Sequence, residues 1–368
     1  MYYIGVVRNT QKPMNLKTLG FNTELENYRK EQNLEGFAVG RVITQHKERY
    51  TVKTAEKEYD AEIIGNLRFT AENRSDFPAV GDWVAFSEYD EDKALIHAIF
   101  PRKTIIERQA VGRHAEKQII ATNIDYAFIV QAVDRDFNIN RIERYLTICN
   151  TSIVKPIIVL SKTDLISESE LDVLVSKVQE RVGEIPILAV SSEQQKGLDK
   201  IKELIKEGKT YCLLGSSGVG KSTLVNNLSN KPVMKTNSIS ESSNRGRHVT
   251  SHRELLVLEN GGILIDNPGM REVGIADSGT GLDMTFDAIT RLSESCRFKD
   301  CTHTKEIDCA ILSALESGEI DIEAYENYLK MRREKEHFES TVSEKRKKDK
   351  QFGKLIKQYK KARNFNKY

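Results

Sequence analysis

The stretch "LLGSSGVGKSTL", Leu213 to Leu224, constrains this chain more than any other. Gly215, Gly220, Lys221 and Ser222 fit G-x-x-x-x-G-K-[ST], the phosphate-binding loop, in which glycines let successive backbone N–H groups converge on phosphate oxygens at a helix N-terminus. The motif assigns phosphate contacts to Gly215, Ser216, Ser217, Gly218, Val219, Gly220, Lys221, Ser222 and Thr223. Lys221 reaches the β and γ phosphates and the Ser222 hydroxyl ligates Mg²⁺ in such a loop. The required context is present, an apolar strand "TYCLLG" before the loop and a helix start "STLVNNLS" after it. The position is unusual. The loop begins more than halfway along 368 residues, and no base-reading N-K-x-D follows: "SNKPVM" lacks the carboxylate and "RFKDC" sits among cysteines.

The other parts of a nucleotide site lie on both sides. Downstream, "GGILIDNPGM" ends a predicted strand at Asp266, 44 residues after Ser222, with Gly269 three residues on. In such a D-x-x-G the carboxylate holds Mg²⁺ through water and the glycine N–H meets the γ-phosphate. Upstream, "IIVLSKTDL" ends its strand with Ser161, Lys162, Thr163 and Asp164. An aspartate there accepts two hydrogen bonds from guanine N1–H and its exocyclic amine, which adenine cannot supply, and the lysine stem can lie along the base. The next strand ends in "AVSS", where the backbone of Ser191 and Ser192 can meet the guanine O6. The order is therefore base reader, second base loop, phosphate loop, metal switch. Circular permutation permits this order, because it moves chain termini and leaves the site intact.

The flanking texture sets the fold. Between Gly36 and Arg108 five short alternating runs, "FAVGRVITQ", "RYTVKTAE", "KEYDAEIIGNL", "GDWVAFSEY" and "KALIHAIF", predict a small barrel of the OB type, with Trp83 packed in its core. From "YAFIVQAV" (126–133) onward, apolar strands alternate with helices: "NINRIERYLTICN", then "KPIIVLS", a helix over 168–182, "IPILAVSS", "GLDKIKELIKEG" and "TYCLLG". That alternation predicts a doubly wound sheet with ligands at the carboxyl ends of its strands. "ELLVLENGGILIDNPG" reads as a hairpin turning at Asn260-Gly261-Gly262, and from Leu282 the pattern is helical. The polar residues 1–35 form an extension without a clear assignment.

Of five cysteines, three fall in "CRFKDCTHTKEIDC", which gives Cys296-x4-Cys301-x-His303-x5-Cys309. Three thiolates and an imidazole are a complete tetrahedral Zn²⁺ set of the closed, structural kind. Cys149 and Cys212 sit in apolar contexts and read as packing residues. The net charge of +2 conceals a basic tail, since Thr341–Tyr368 holds eleven Lys/Arg against two Asp/Glu. Its interleaved Phe352, Tyr359 and Phe365 favour a polyanion partner over a merely solvated helix. No apolar run approaches a membrane span and no signal-peptide profile opens the chain, so a cytoplasmic location is expected.

These motifs together, with "PAVGDWV", "QIIATNIDYAFIV", "GRHVTSHRE" and "IDNPGMRE", resemble the RsgA (YjeQ) family of circularly permuted GTPases that assist small-ribosomal-subunit assembly. The resemblance covers roughly Ala38 to Leu329. It implies a multidomain chain: an extension (1–35), an OB-fold β-barrel (36–108), a circularly permuted α/β P-loop GTPase domain (109–280), a zinc-binding helical domain (281–340) and the basic tail (341–368). It implies a monomeric GTP hydrolase stimulated by the small subunit, with GTP/GDP, Mg²⁺, Zn²⁺ and rRNA as cofactors and partners. It assigns the first switch to "RGRHVTSHRE", with Thr250, or else Ser251, as the Mg²⁺ and γ-phosphate ligand. Met270 stands where many GTPases carry a water-orienting glutamine. The resemblance offers His248 for that role, a solvent-exposed or structural histidine being the other reading. Ser161 stands where Asn is usual, which removes an amide that braces the base loop, and Asn267 and Ser192 depart from the usual Thr and Ala. Two other readings compete, an RNA-binding scaffold that holds GTP with negligible turnover and a P-loop ATPase.

Overall fold

The computed structural model describes residues 15–109, 117–230, 253–266 and 279–336. Within them the chain forms two compact units, one holding residues 15–107, 119–145, 152–230 and 253–266, the other built mainly of 146–151 and 279–336.

The first unit starts with α1 (Thr23–Glu31), which Asn22 caps by accepting from Leu25 N–H at 3.0 Å. Five strands follow: β1 (Ala38–His46), β2 (Arg49–Lys53), β3 (Glu58–Ile63), β4 (Trp83–Asp90) and β5 (Lys93–Ile99). In β3 burial alternates residue by residue, Tyr59, Ala61 and Ile63 inward and Glu58, Asp60 and Glu62 outward, as a half-buried strand requires. The strands pair in the order β1-β2-β3-β5-β4, and β4 returns to β1, so the barrel is closed and OB-like. A short α2 (Gly65–Thr70) separates β3 from β4. Val42, Tyr50, Val52, Val84, Phe86 and Ile96 fill the barrel. Trp83 is buried in a second cluster with Leu19, Val39 and Phe100, on which Leu25 and Tyr28 of α1 pack.

After a two-stranded ribbon, β6 (Ile105–Gln109) and β7 (Lys117–Thr122), comes the alternating half. It runs β8 (Tyr126–Ala132), α3 (Ile139–Thr151), β9 (Lys155–Ser161), α4 (Glu168–Val182), β10 (Ile187–Ala189), α5 (Leu198–Leu204), β11 (Thr210–Leu214) and α6 (Lys221–Ser229), then the hairpin β12 (Glu254–Val257) and β13 (Ile263–Asp266). The order is β10-β9-β8-β11-β13-β12, with parallel neighbours except for the antiparallel edge strand β12. β12 also pairs with β1 at Thr44 and Glu254, which joins the barrel and the parallel sheet into one eleven-stranded sheet.

Polar groups also tie the barrel to the end of β7 and the turn that leads into β8. Asp82, fully buried, accepts from Arg102 Nη2 at 2.7 Å, Thr122 Oγ1 at 2.6 Å and the Ala79 N–H at 2.8 Å. Arg41, also buried, donates to the carbonyls of Leu19 (2.7 Å), Gly81 (3.1 Å) and Asn123 (3.2 Å), thereby tying the N-terminal segment, the barrel and the sheet together. Burial pulls its guanidinium down to about 10, against the raising influence of Asp125 and Asp82.

The second unit contains α7 (Gly279–Thr285), α8 (Asp287–Ser293), α9 (Ala310–Glu316) and a helix, α10, over residues 322–336. Its core joins Leu282, Phe286, Ile289, Ile311, Tyr328 and Met331. Gly281 lies so close to the last turn of α3 that a Cβ would meet the Thr147 carbonyl and Thr151 N–H at 2.6 Å, so only glycine fits. Thr285 Oγ1 accepts from Thr147 Oγ1 and Asn150 Nδ2, both at 3.0 Å.

Candidate functional site

The parallel strands β8, β9, β10, β11 and β13 all end at one edge of the sheet, where ligands bind in open α/β folds. β11 feeds the phosphate loop. Gly215 has φ 151°, and a Cβ there would meet the Val130 carbonyl of β8 at 2.3 Å, so the chain can turn only with glycine. Gly218 (φ 81°) and Gly220 (φ 93°) complete the curl. Val219 inserts its side chain into the core beside Leu224 and Val225, anchoring the loop from below. Lys221 opens α6, and its Nζ donates to the carbonyls of Gly215 (2.8 Å) and Ser216 (2.6 Å). Ser217, Ser222 and Thr223 continue the same loop and helix start. Asp266 ends β13, the strand beside β11, and is buried.

The two base-loop candidates meet on neighbouring strands. Ser161 ends β9, and Lys162 follows in the left-handed region at φ 60°, uncommon for a side chain with a Cβ. Two contacts hold it there, the Lys162 Nζ–Asp134 Oδ2 ion pair at 2.9 Å and the Thr163 N–H donating to the Val190 carbonyl. Asp164 accepts a hydrogen bond from the Ser191 hydroxyl, which itself accepts from Gln194 N–H at 3.0 Å. Ser192 lies beside Ser191 in that turn. Burial alone acts to raise the Asp134 carboxyl. The Lys162 hydrogen bond, the Asp136 N–H and the charges of Lys162 and Arg135 outweigh burial and hold it below its ordinary value.

Ser161, in place of the usual Asn, donates its hydroxyl to the Val219 carbonyl at 2.6 Å, spanning from β9 to the phosphate loop. Tyr145 of α3 also reaches this loop through a hydrogen bond with Ser216, a contact no motif announced. His248, Thr250, Ser251, Asn267, Gly269, Met270 and the basic tail lie outside the described residues.

In the second unit, Cys296, Cys301, His303 and Cys309 converge, with their ligand atoms within 4.8 Å of one another. His303 turns its Nδ1 toward Cys296 Sγ (3.5 Å) and Cys309 Sγ (3.6 Å), and Cys296 and Cys309 sulfurs are 3.8 Å apart. Such a cluster could hold a metal ion. The loop is shaped for it. His303 has φ 62°, Glu306 accepts from the N–H groups of Thr302 (2.9 Å), Thr304 (2.9 Å) and Lys305 (3.1 Å), and Tyr325 donates to the His303 carbonyl. Burial lowers the His303 imidazole, and burial with the neighbouring thiols pushes Cys301 up to about 11.

The RsgA GTPase family model matches residues 99–276. An ABC transporter model matches residues 198–362, a span containing the phosphate loop. A small ribosomal subunit biogenesis GTPase RsgA 1 of Bacteroides thetaiotaomicron is 38% identical over 354 residues, covering 95% of this chain and 98% of its own length. A similarly named RsgA 2 of Lactiplantibacillus plantarum is 40% identical, covering 87% of this chain and 89% of its own. Among solved structures, YjeQ from Thermotoga maritima aligns with a TM-score of 0.61 and 26% identity, over 80% of this chain and 96% of that one. YloQ, described as a circularly permuted GTPase, aligns at 0.57 and 25% identity, over 80% and 93%.

Proposed function

This chain belongs to the RsgA GTPase family, and from that premise we propose that it hydrolyses GTP while bound to the small ribosomal subunit during late assembly. The observation that carries this reading is the gathering, at one sheet edge, of a phosphate loop, the Ser161–Asp164 and Ser191–Ser192 turns and Asp266.

In this reading the N–H groups of 216–223 and Lys221 bind the phosphates, and Asp164 selects guanine, held for that task by Ser191. The Ser222 hydroxyl, the buried Asp266 carboxylate and Thr250 are the hard oxygen donors that would hold Mg²⁺. Bound there, Mg²⁺ neutralises charge that develops between the β and γ phosphates. Gly269 would report the γ-phosphate, and His248 would orient the attacking water, a task beyond Met270.

The cysteine cluster suits Zn²⁺. Tetrahedral bonds of the usual Zn–S and Zn–N lengths put sulfurs about 3.8 Å apart and a sulfur and nitrogen about 3.6 Å apart. The 3.8 Å and 3.5–3.6 Å separations here fit that ion. We assign the domains as 1–35, 36–108, 109–280, 281–340 and 341–368. The barrel, the zinc domain and the basic tail would grip rRNA, and a cytoplasmic monomer is the expected form.

The test is GTP hydrolysis by the full chain with and without purified small subunits. At least tenfold stimulation is expected. A negligible rate under both conditions would sink the enzyme reading in favour of a GTP-binding scaffold, and displacement of labelled GDP by ATP as readily as by GTP would refute the role of Asp164.

A further inference from the structure

The segment that carries Cys301 and His303 is held in shape by a residue outside the cysteine–histidine cluster. Glu306 turns both of its carboxylate oxygens back on the residues that precede it. Oε1 accepts from the Thr302 N–H at 2.9 Å and from the Thr302 hydroxyl. Oε2 accepts from the N–H groups of Thr304 at 2.9 Å and Lys305 at 3.1 Å. Because the Thr302 hydroxyl gives its proton to Glu306, it accepts in turn from the Thr304 hydroxyl at 2.8 Å. One side chain therefore ties down the residues on both sides of His303, and Thr302 is also the neighbour of Cys301. The shape so held is not one that these residues adopt by preference. His303 lies in the left-handed region at φ 62°, uncommon for a residue with a Cβ, and no glycine stands between Cys296 and Cys309 to ease the turn. Tyr325 fixes the same residue from α10 by donating to the His303 carbonyl at 2.5 Å. The oxygens of Glu306 are engaged with this backbone, whereas the ligand atoms that converge belong to Cys296, Cys301, His303 and Cys309. An ion that has to order its own ligand loop loses that ordering free energy from its affinity, and a loop already bent loses less.

We propose that Glu306 is a positioning residue for the metal cluster: it bends residues 302–305 so that the His303 imidazole meets the three thiols before an ion arrives. This proposal rests on the zinc reading above and adds to it a residue that is not itself a ligand. Glu306 works as an acceptor of hydrogen bonds, with all of its bonds made to neighbours in the loop. A glutamine of nearly the same shape keeps one acceptor oxygen and sets its NH₂ group against N–H donors, so it cannot replace the carboxylate.

The full chain, as wild type, Glu306→Gln and Glu306→Ala, is treated with a chelator and then titrated with Zn²⁺ and with Co²⁺ against a competing chelator. The visible absorption bands of tetrahedral Co²⁺ report the ligand set. Both variants should bind each ion about 10–100-fold more weakly, the scale on which groups that orient metal ligands act. At saturation their Co²⁺ bands should match those of wild type, because the three thiolates and the imidazole are unchanged. The loss should also persist in about 0.5 M KCl, where charges more than about 4 Å apart are screened in solvent. Affinities within about twofold of wild type in both variants would overturn the proposal. A loss that vanishes in high salt would overturn it too, leaving Glu306 as a distant attracting charge. Altered Co²⁺ bands at saturation would do the same, since Glu306 would then act on the ligand set and not on its assembly. Wild-type chain that takes up neither ion would refute the zinc reading itself, an outcome separable from the others.

Discussion

Single residues in the base-reading segment carry their function through contacts that motif matching does not record. Lys162 occupies a left-handed conformation that costs about 1 kcal/mol for a non-glycine residue. Its ion pair with Asp134 helps to offset that cost. The Asp134 carboxyl is held below its ordinary 3.8. A depressed acid contributes stability that is fully present above the ordinary value and lost as pH falls through the folded-state value. Asp134→Asn should therefore lower Tm by about 2 °C at pH 7, and the gap from wild type should close as thermal scans are repeated from pH 5 toward pH 3. A gap independent of pH would show that the charge is not what matters. The sequence identified Asp164 and the phosphate loop because their chemistry admits few residue types. It could not reveal that a serine hydroxyl spans to Val219, since that depends on where two segments 58 residues apart come to lie.

Secondary-structure elements were legible in proportion to their periodicity. The five barrel runs and the alternating strands and helices each expose a period, of two or of about 3.6, and the fold follows them closely. α1 escaped notice because no residue in it is buried, so no apolar stripe marks it; only Asn22, its cap, was available as a signal. β6 and β7 escaped because they form a two-stranded ribbon with little pattern of their own. In the second unit the helices are short, and their core includes Cys301 and Cys309 as well as apolar side chains. A small helical unit that held an ion on ligands in its core, as proposed above, would depend on it for its fold. Treatment with a chelator should make residues 279–336 sensitive to trypsin while residues 15–107 and 152–230 stay protected. Equal resistance before and after chelation would show that the helices pack without the ion.

On the scale of the molecule, the barrel and the parallel sheet are parts of one hydrogen-bonded sheet, and Asp82 ties the barrel to the end of β7. Removing one partner of a buried ion pair costs more than the pair itself is worth, because a charge stays behind unpaired. Asp82→Ala should therefore destabilise this unit by about 3 kcal/mol, measured as a lowered first transition in calorimetry. Asp82→Asn, which keeps an acceptor for Thr122, should cost less. An alanine variant as stable as wild type would mean that Arg102 finds sufficient partners in the Ser75 and Phe77 carbonyls. Buried Arg41 and Asp82 were the least legible features, since charged residues inside a strand or turn are ordinarily read as surface.

Strand order also has a consequence in time. β8 is complete at residue 132, but β11, which pairs with it, ends at residue 214, 82 residues later, and β13 ends only at residue 266. At ordinary translation rates the gap to β11 alone lasts roughly 4–16 s. During that interval the nascent chain carries a largely apolar strand with one edge open, the kind of edge to which other chains can add. The rearranged order leaves no trace in the finished sheet, but during synthesis the central partner of β8 arrives after both strands on the other side of β8.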